Sequence, residues 1–561
     1  MNYTVGSYLA KRLEQMGIEH YFVVPGDFNL MLLDELLKNK NLKQIGSSNE
    51  LNASYAAEGY ARIKGAGAIV ITFNVGAFSA INGIAGAYAE RLPIIFISGG
   101  FNTNDPIQGK IPHHSLDIKN LNYQYEMIQK ITCDAAQIMH EKDAPHLIDR
   151  VICNALRNRM PGYIEIPSNL ADASCTEPSP LQSLFSTLET DPKALQSATS
   201  LATDLLENSK DPVLLAGPHL RTHGAINEFR ELAKSLGCAV AVQPSAKSFF
   251  PEDNPQFIGI YWGEVSSPGC QEIVEGSDLV IAGGPVYSDY STVGWTAIPH
   301  NDKTINIRPS RVVFPNSEHS GIKLSDFLKS LSNKVKENKN SLKEFKKIKF
   351  EEKPIKKANP ETHLTRLEMV RQIQDLLDSK STIFVESGDS WFNTMYMHLP
   401  GGAKYEIEMQ WGSIGWSVPA AFGNSLGNMS NERVLGLIGD GSFQFTAQEL
   451  ANMIRYNQDI ILFIVNNHGY VVESVIHDGP YNYIKNWNYA GLIEVFNNGK
   501  GNGLGITAKT SGELIEAIKK AKNHHNGPVL IECQIPHDDT SPELTKWGKK
   551  VSEANKRSSL T

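Results

Sequence analysis

Near its carboxyl end the chain carries two short, almost wholly apolar runs, Arg433–Ile438 (RVLGLI) and Ile460–Val465 (IILFIV). Each runs straight into a polar cluster: Gly439-Asp440-Gly441-Ser442 after the first, Asn466-Asn467-His468-Gly469 after the second. Between them a segment places Leu450, Met453 and Ile454 on one face of a helix. Runs this short and this apolar read as strands buried on both faces, and strand–helix–strand repeats build parallel sheets covered by helices. Both polar clusters then lie at the carboxyl ends of neighbouring strands, where open α/β sheets bind ligands.

The same alternation fills the rest of the chain. Tyr21–Val24, Ala68–Thr72, Pro93–Ser98 and Tyr163–Ile166 read as strands, and the helix Val5–Met16 aligns Leu9, Leu13 and Met16. A polar stretch, Asp172–Ser183, closes this unit. A middle unit offers Pro212–Ala216, Ala239–Val242 and Asp278–Ala282, and the last unit adds Thr382–Val385 and Pro528–Cys533. A chain of 561 residues exceeds one ordinary core. The expected fold class is α/β, with three doubly wound parallel-sheet domains at 1–185, 186–345 and 361–561. A lysine-rich linker, 346–360, separates the last two. Ten lysines fall between Lys334 and Lys357, and such a charge run reads as a solvated linker with a short helix. The first and last units resemble one another in size and pattern, which is consistent with an old duplication.

Composition narrows the class of function. With 41% apolar residues, 20% charged residues and a net charge of −8, the chain reads as a soluble globular protein without the basic face that nucleic acid requires. No run approaches the eighteen apolar residues of a membrane span. The start, MNYTVGSYLAKRLEQMG, lacks the layout of a signal peptide. The six cysteines lie far apart without a CxxC, which favours a reducing compartment, so the cytoplasm is the expected location.

The chemistry is read from the two polar clusters. Asp440 and the Asn467 side chain are hard oxygen donors, and Gly469 can lend a carbonyl without a side chain in the way. Such a set suits Mg²⁺, which takes a few protein oxygens together with phosphate and water. Gly441 and Ser442 offer an N–H and a hydroxyl to a phosphate. Either cluster alone reads as an ordinary turn. Together, each closing a strand and with residues 442–465 between them, they match the thiamine-diphosphate motif GDG…NN. No GxxxxGK[ST] occurs, and the glycines from Gly499 follow no strand.

Over nearly its whole length the chain resembles the pyruvate decarboxylases. The likeness is carried by Gly26-Asp27-Phe28-Asn29, Asn49-Glu50-Leu51-Asn52, His113-His114, GDSWFN from Gly388, QWGSIGW from Gln410, GDGS, NNHGY with Glu473, and HDGPYN from His477. The tryptophan in GDSWFN and the HDGPYN stretch followed by Asn486-Trp487 resemble the bacterial and plant-like branch. The resemblance implies a pyrimidine-binding first domain, a central Rossmann-like spacer and a last domain that binds diphosphate and Mg²⁺. It implies thiamine diphosphate in a cleft between the first domain of one subunit and the last of another, hence a homodimer at minimum and commonly a homotetramer. Asp440, Asn467 and Gly469 would hold the metal. Asp389, Gly412, Ser413, Ile414, Gly441, Ser442, Asn467, Gly469 and Tyr470 would contact the cofactor, with Ile414 as the apolar wedge under its bend. Glu50 would face the aminopyrimidine ring, and Asp27, His113, His114 and Glu473 would serve proton transfer.

The resemblance also implies a small aromatic pocket for a methyl group, walled by Tyr290, Trp391, Val472 and Ile476, and so pyruvate as substrate. Two positions depart from the family. Val472 stands where this branch commonly has Ile, a difference of about 1–3 kcal/mol in discrimination, so slow turnover of 2-oxobutanoate is expected. His468 stands where Tyr or Asp is common, without consequence for a metal held by the Gly469 backbone. Arg221 and its neighbours include no cysteine, unlike substrate-activated fungal relatives, so hyperbolic kinetics are expected. The nearest alternatives are a decarboxylase of indolepyruvate or branched-chain acids and an acetolactate-type carboligase. More distant ones are a nicotinamide oxidoreductase, for which no GxGxxG stands at a strand–helix turn, and a homologue that has lost catalysis, which Glu50 and Asp27 argue against.

Overall fold

Strands that are apolar on both faces are stable only inside a layer of helices. The computed structural model describes residues 3–117, 119–184, 189–349, 358–428 and 432–556, and these form three such sheets. The first runs in the order Lys43–Gly46, His20–Val23, Gly67–Ile71, Ile94–Gly100, Gly162–Pro167, Asp134–Gln137, all parallel. The last runs Lys404–Glu406, Ser381–Val385, Arg433–Gly439, Ile460–Asn466, Val529–Gln534, Leu504–Ala508, again all parallel. With strands counted along the chain, both sheets follow the same spatial order, so the likeness in pattern is also a likeness in topology.

The middle sheet departs from a purely parallel expectation. Phe257–Ile260, Ala239–Val242, Pro212–Ala216, Leu279–Gly283 and Thr304–Arg308 are parallel. Arg311–Val313 and Glu318–Ser320 then add an antiparallel edge. The reversal takes only Pro309 and Ser310, a two-residue hairpin connection. The strands that sequence reasoning passed over in the first and last sheets, such as KQIG, DAAQ and KYE, lie at sheet edges and are too short to carry an apolar run.

The segment between the two polar clusters is helical but broken. Asp440–Thr446 is followed by one 3₁₀ turn, Ala447–Glu449, and then by Leu450–Arg455, with Leu450, Met453 and Ile454 buried as expected. The break lies where the first unit docks. Ser48 donates through its hydroxyl to the Gln448 carbonyl (3.1 Å), and Asn52 donates through its amide to Glu449 (2.9 Å). Beside this contact the helix Glu50–Lys64 crosses the helix Ser417–Gly427 so closely that a Cβ on Gly59 would stand 1.9 Å from the Ala420 carbonyl oxygen. The lysine run contains a short helix, Asn340–Lys347, and residues 350–357, most of the expected linker, lie outside the described residues. Among the described residues no helix is long and apolar enough to cross a membrane. All six cysteines are free.

Candidate active site

Strand register builds the centre of the site. Gly439 pairs with Val465 across the two neighbouring strands, so Asp440 emerges beside Asn466 and Asn467. Asp440 is wholly buried. Its Oδ1 accepts the Gly441 N–H (2.7 Å) and its Oδ2 the Gly469 N–H (3.1 Å). Burial pushes its carboxyl up to about 6, and the backbone N–H groups hold it from rising further. Gly469 adopts φ +144°, and a Cβ there would stand 2.4 Å from the Asn482 carbonyl oxygen, so the position requires glycine. Its own carbonyl accepts one N–H, from Val471 (3.0 Å), which leaves a second lone pair. The Asn467 carbonyl is bonded to the His537 ring (2.6 Å), which fixes the backbone that carries the Asn467 amide.

These groups open onto a cavity of about 220 Å³. Of the expected residues, Asp389, Gly412, Ile414, Gly441, Ser442, Tyr470 and Glu473 line it together with Asp440, Asn467 and Gly469. Asp389 Oδ1 and Trp391 Nε1 are buried there without a hydrogen-bond partner. Burial raises the Asp389 carboxyl to about 6. A buried carboxylate with only backbone donors, a carbonyl with a spare lone pair and two unpaired polar atoms form a donor set that fits Mg²⁺ and a diphosphate.

The far wall is aromatic. Trp391 is almost fully buried, and its ring meets Tyr290 edge-on with centroids 6.1 Å apart. Val472 completes the wall. Tyr290 comes from the middle domain, and it also meets Trp547 at 4.8 Å. Trp547, on the C-terminal helix Pro542–Asn555, was not foreseen. Its signal in the sequence is the spacing of Leu544, Trp547 and Val551 on one helix face, all buried. Ile476 does not reach the cavity lining and packs towards Gly548 on that same helix. Ser413 also stands outside the lining. Its hydroxyl bonds Tyr55 (2.6 Å) and accepts from Asn82 (3.0 Å), both on the first unit.

The first unit gathers a second group. Asp27 sits on a 3₁₀ turn after the strand His20–Val23, and its Oδ2 lies 2.9 Å from His113 Nε2. Phe28 stacks on His113 (4.7 Å), and His113 meets His114 edge-on (4.4 Å). Asp27 and His113 are both more than half exposed. Glu50 opens the helix Glu50–Lys64, whose N-cap is Asn49, accepting the Asn52 N–H at 2.8 Å. Burial raises the Glu50 carboxyl. None of Asp27, Glu50, His113 and His114 lines the cavity of its own chain.

Comparison with known proteins gives the family. Residues 3–120, 199–329 and 378–533 match the N-terminal TPP-binding, central and C-terminal TPP-binding domains of the thiamine pyrophosphate enzymes. A pyruvate decarboxylase of Neurospora crassa is 49% identical, covering 99% of this chain and 97% of its own. Pyruvate decarboxylase 3 of Arabidopsis thaliana is 44% identical, covering 99% and 94%. The fungal protein is thus more similar than the plant one, although the motifs resemble the plant-like branch. A solved 4-hydroxybenzoylformate decarboxylase of Rhodococcus jostii superposes with a TM-score of 0.77 at 20% identity, covering 96% of this chain and all of that one, and shares the fold. Relatives this similar over almost the full length, with all three domains matched, make this chain a member of the pyruvate decarboxylase family of thiamine pyrophosphate enzymes.

Proposed function

We propose that this protein decarboxylates pyruvate to acetaldehyde and CO₂ with thiamine diphosphate and Mg²⁺. The observation that carries this reading is the oxygen set of Asp440, Asn467 and Gly469 opening on a cavity walled by Trp391 and Tyr290. Thiamine diphosphate, when bound, supplies an electron sink for the charge left by departing CO₂. Asp440, the Asn467 side chain and the Gly469 carbonyl would hold the metal, Gly441 and Ser442 would receive the diphosphate, and Asp389 would complete the cofactor contacts. Gly412, Ser413 and Ile414 set the cofactor's posture, with Tyr470 beside them. Acetaldehyde release from pyruvate, measured with and without both cofactors, tests the reading. Acetolactate as the main product would favour a carboligase instead.

Protons are handled by the first-unit group and Glu473. A proton on His113 Nε2 is shared with Asp27 Oδ2, and Phe28 fixes the ring plane. Glu50 holds or releases a proton in a half-buried setting. Because these groups stand away from the cavity of their own chain, a working site joins two copies, so the active form is at least a homodimer, with a homotetramer as the expected assembly. Exposed apolar side chains on the histidine segment, Ile107, Ile111 and Leu116, suit such a contact. The chain divides at 1–185, 186–345 and 361–561 into a pyrimidine-binding domain, a central spacer and a diphosphate- and Mg²⁺-binding domain. We place the enzyme in the cytoplasm, in ethanol formation, and expect a hyperbolic pyruvate curve, since Arg221 and its neighbours in the chain include no cysteine.

Two expected outcomes test the details. Metal ligation needs the ionised form of Asp440. Its carboxyl is raised to about 6, so cofactor binding is intact above that value and weakens as pH falls through it. The Mg²⁺ concentration for half-saturation should rise by up to about tenfold per pH unit below 6, and equal values at pH 5 and 7 would refute the assignment. Replacing Trp391 by Ala removes the edge-on partner of Tyr290 and opens the methyl pocket. The ratio of kcat/KM for benzoylformate over pyruvate should then rise about 100-fold, several methylene-sized increments of pocket discrimination. An unchanged ratio would show that Trp391 does not set specificity.

A further inference from the structure

Behind the loop that carries Gly412, Ser413 and Ile414 lies a sealed cluster of charges with no part in the chemistry above. Glu408 is wholly buried. Its Oε2 accepts the Ser413 N–H (2.9 Å), and its Oε1 is buried without a partner. Glu58, wholly buried on the helix Glu50–Lys64, gives Oε1 to Arg62 (2.8 Å), and its Oε2 also has no partner. Both unpaired oxygens face Gly86, where a Cβ would come within 2.5 Å of Glu408 Oε1 and 3.6 Å of Glu58 Oε2.

The surroundings do not supply enough positive charge for both. Arg62 also reaches Glu406 (2.9 Å) and Glu90 (3.4 Å), and Arg221 is committed to Glu406. Four carboxyls therefore share two guanidiniums around a dry core of Glu58, Glu408 and Arg62, and buried charge without compensation is relieved by taking up protons.

We propose that Glu408, backed by Glu58, is a positioning residue that fixes the Gly412–Ser413–Ile414 loop against the bound cofactor. The proposal rests on the cofactor occupying the cavity described above. A proton held by one carboxyl lets the pair bridge, which keeps Glu408 Oε2 on the Ser413 N–H. Ser413 is bound from the other side by Tyr55 and Asn82, so the loop is clamped between the first and last domains. Burial, with Glu90 as a further like charge, pushes Glu58 up to about 7 and Glu408 well above the usual carboxylate range. Both shifts are upward, so the clamped state belongs to the low-pH side. It is lost only on the alkaline side, where the last shared proton leaves Glu408 and the two charges repel.

The test is the dissociation constant of thiamine diphosphate at fixed Mg²⁺, read by quenching of tryptophan fluorescence between pH 6.5 and 9.5. Wild type should weaken about tenfold across this range. Glu408→Gln keeps an acceptor for Ser413 and a donor towards Glu58 but cannot ionise, so it should bind as wild type does at pH 6.5 and stay flat. Glu408→Ala should bind at least about tenfold more weakly at pH 6.5, with far-UV circular dichroism unchanged. The same pH slope in Glu408→Gln as in wild type overturns the proposal even if the alanine variant fails to fold. Asp440→Ala separates the two layers of the argument. If it binds the cofactor normally, the placement of the cofactor is wrong. If it loses binding while Glu408→Gln tracks wild type, only the role of Glu408 falls.

Discussion

Replacing Glu50 by Gln is expected to lower acetaldehyde formation by about 10³-fold, within the range for loss of a positioned acid–base group, while the fold and cofactor binding survive. Gln is isosteric and can still donate or accept a hydrogen bond, but it cannot exchange a proton. The carboxyl of Glu50 is half-buried and raised by that burial, so removing its charge relieves a desolvation cost. The helix start is held by Asn49, which the substitution does not touch. Thermal unfolding should therefore be unchanged or slightly improved. Single-turnover kinetics with saturating cofactor give the number, and activity within tenfold of wild type would end the proposed role of Glu50.

The second large effect is expected at Asp440. Its substitution by Ala removes the one charged oxygen donor of the metal set, so Mg²⁺-dependent cofactor binding should weaken by at least about 100-fold, more than loss of a supporting group around a metal costs. A ligand that binds only the folded state at a hundred times its Kd stabilises by about 2.7 kcal/mol. Adding thiamine diphosphate and Mg²⁺ should raise the Tm of the wild type and leave that of Asp440→Ala where it was. Retention of the full upward shift would mean that the metal sits elsewhere. The apo variant should remain folded, because the lost carboxylate is a buried charge whose partners are two backbone N–H groups, Gly441 and Gly469, within reach of the strand-end turns.

The strand pair that opens the sequence argument reappears in the structure almost residue for residue, as Arg433–Gly439 and Ile460–Asn466. Such strands are legible because both faces are buried and every position must be apolar. The edge strands Lys43–Gly46 and Lys404–Glu406 are not: the first is partly solvated and tolerates polar residues, and the second is three residues long, with Glu406 buried against Arg62. The same contrast holds in the site. Asp440, Asn467 and Gly469 stand at fixed offsets from a strand end, so local sequence places them. Trp547 stands 257 positions after Tyr290 in the chain yet approaches it, as the Trp547 Nε1 contact with the Tyr290 carbonyl at 3.3 Å records. No local pattern encodes that meeting.

What the sequence determined by itself is the α/β class and the strand-end oxygen donors for metal and diphosphate. These follow from period, turn chemistry and offset, which are local; the proton-transfer residues are what the family resemblance implies. The tertiary structure alone decided that Trp547 joins Tyr290 and Trp391 in the pocket wall. It alone decided that Ile476 turns towards the C-terminal helix and that Glu58 and Glu408 meet over Gly86. Those outcomes depend on how whole domains pack, and packing is fixed by the sum of many buried contacts rather than by any one segment.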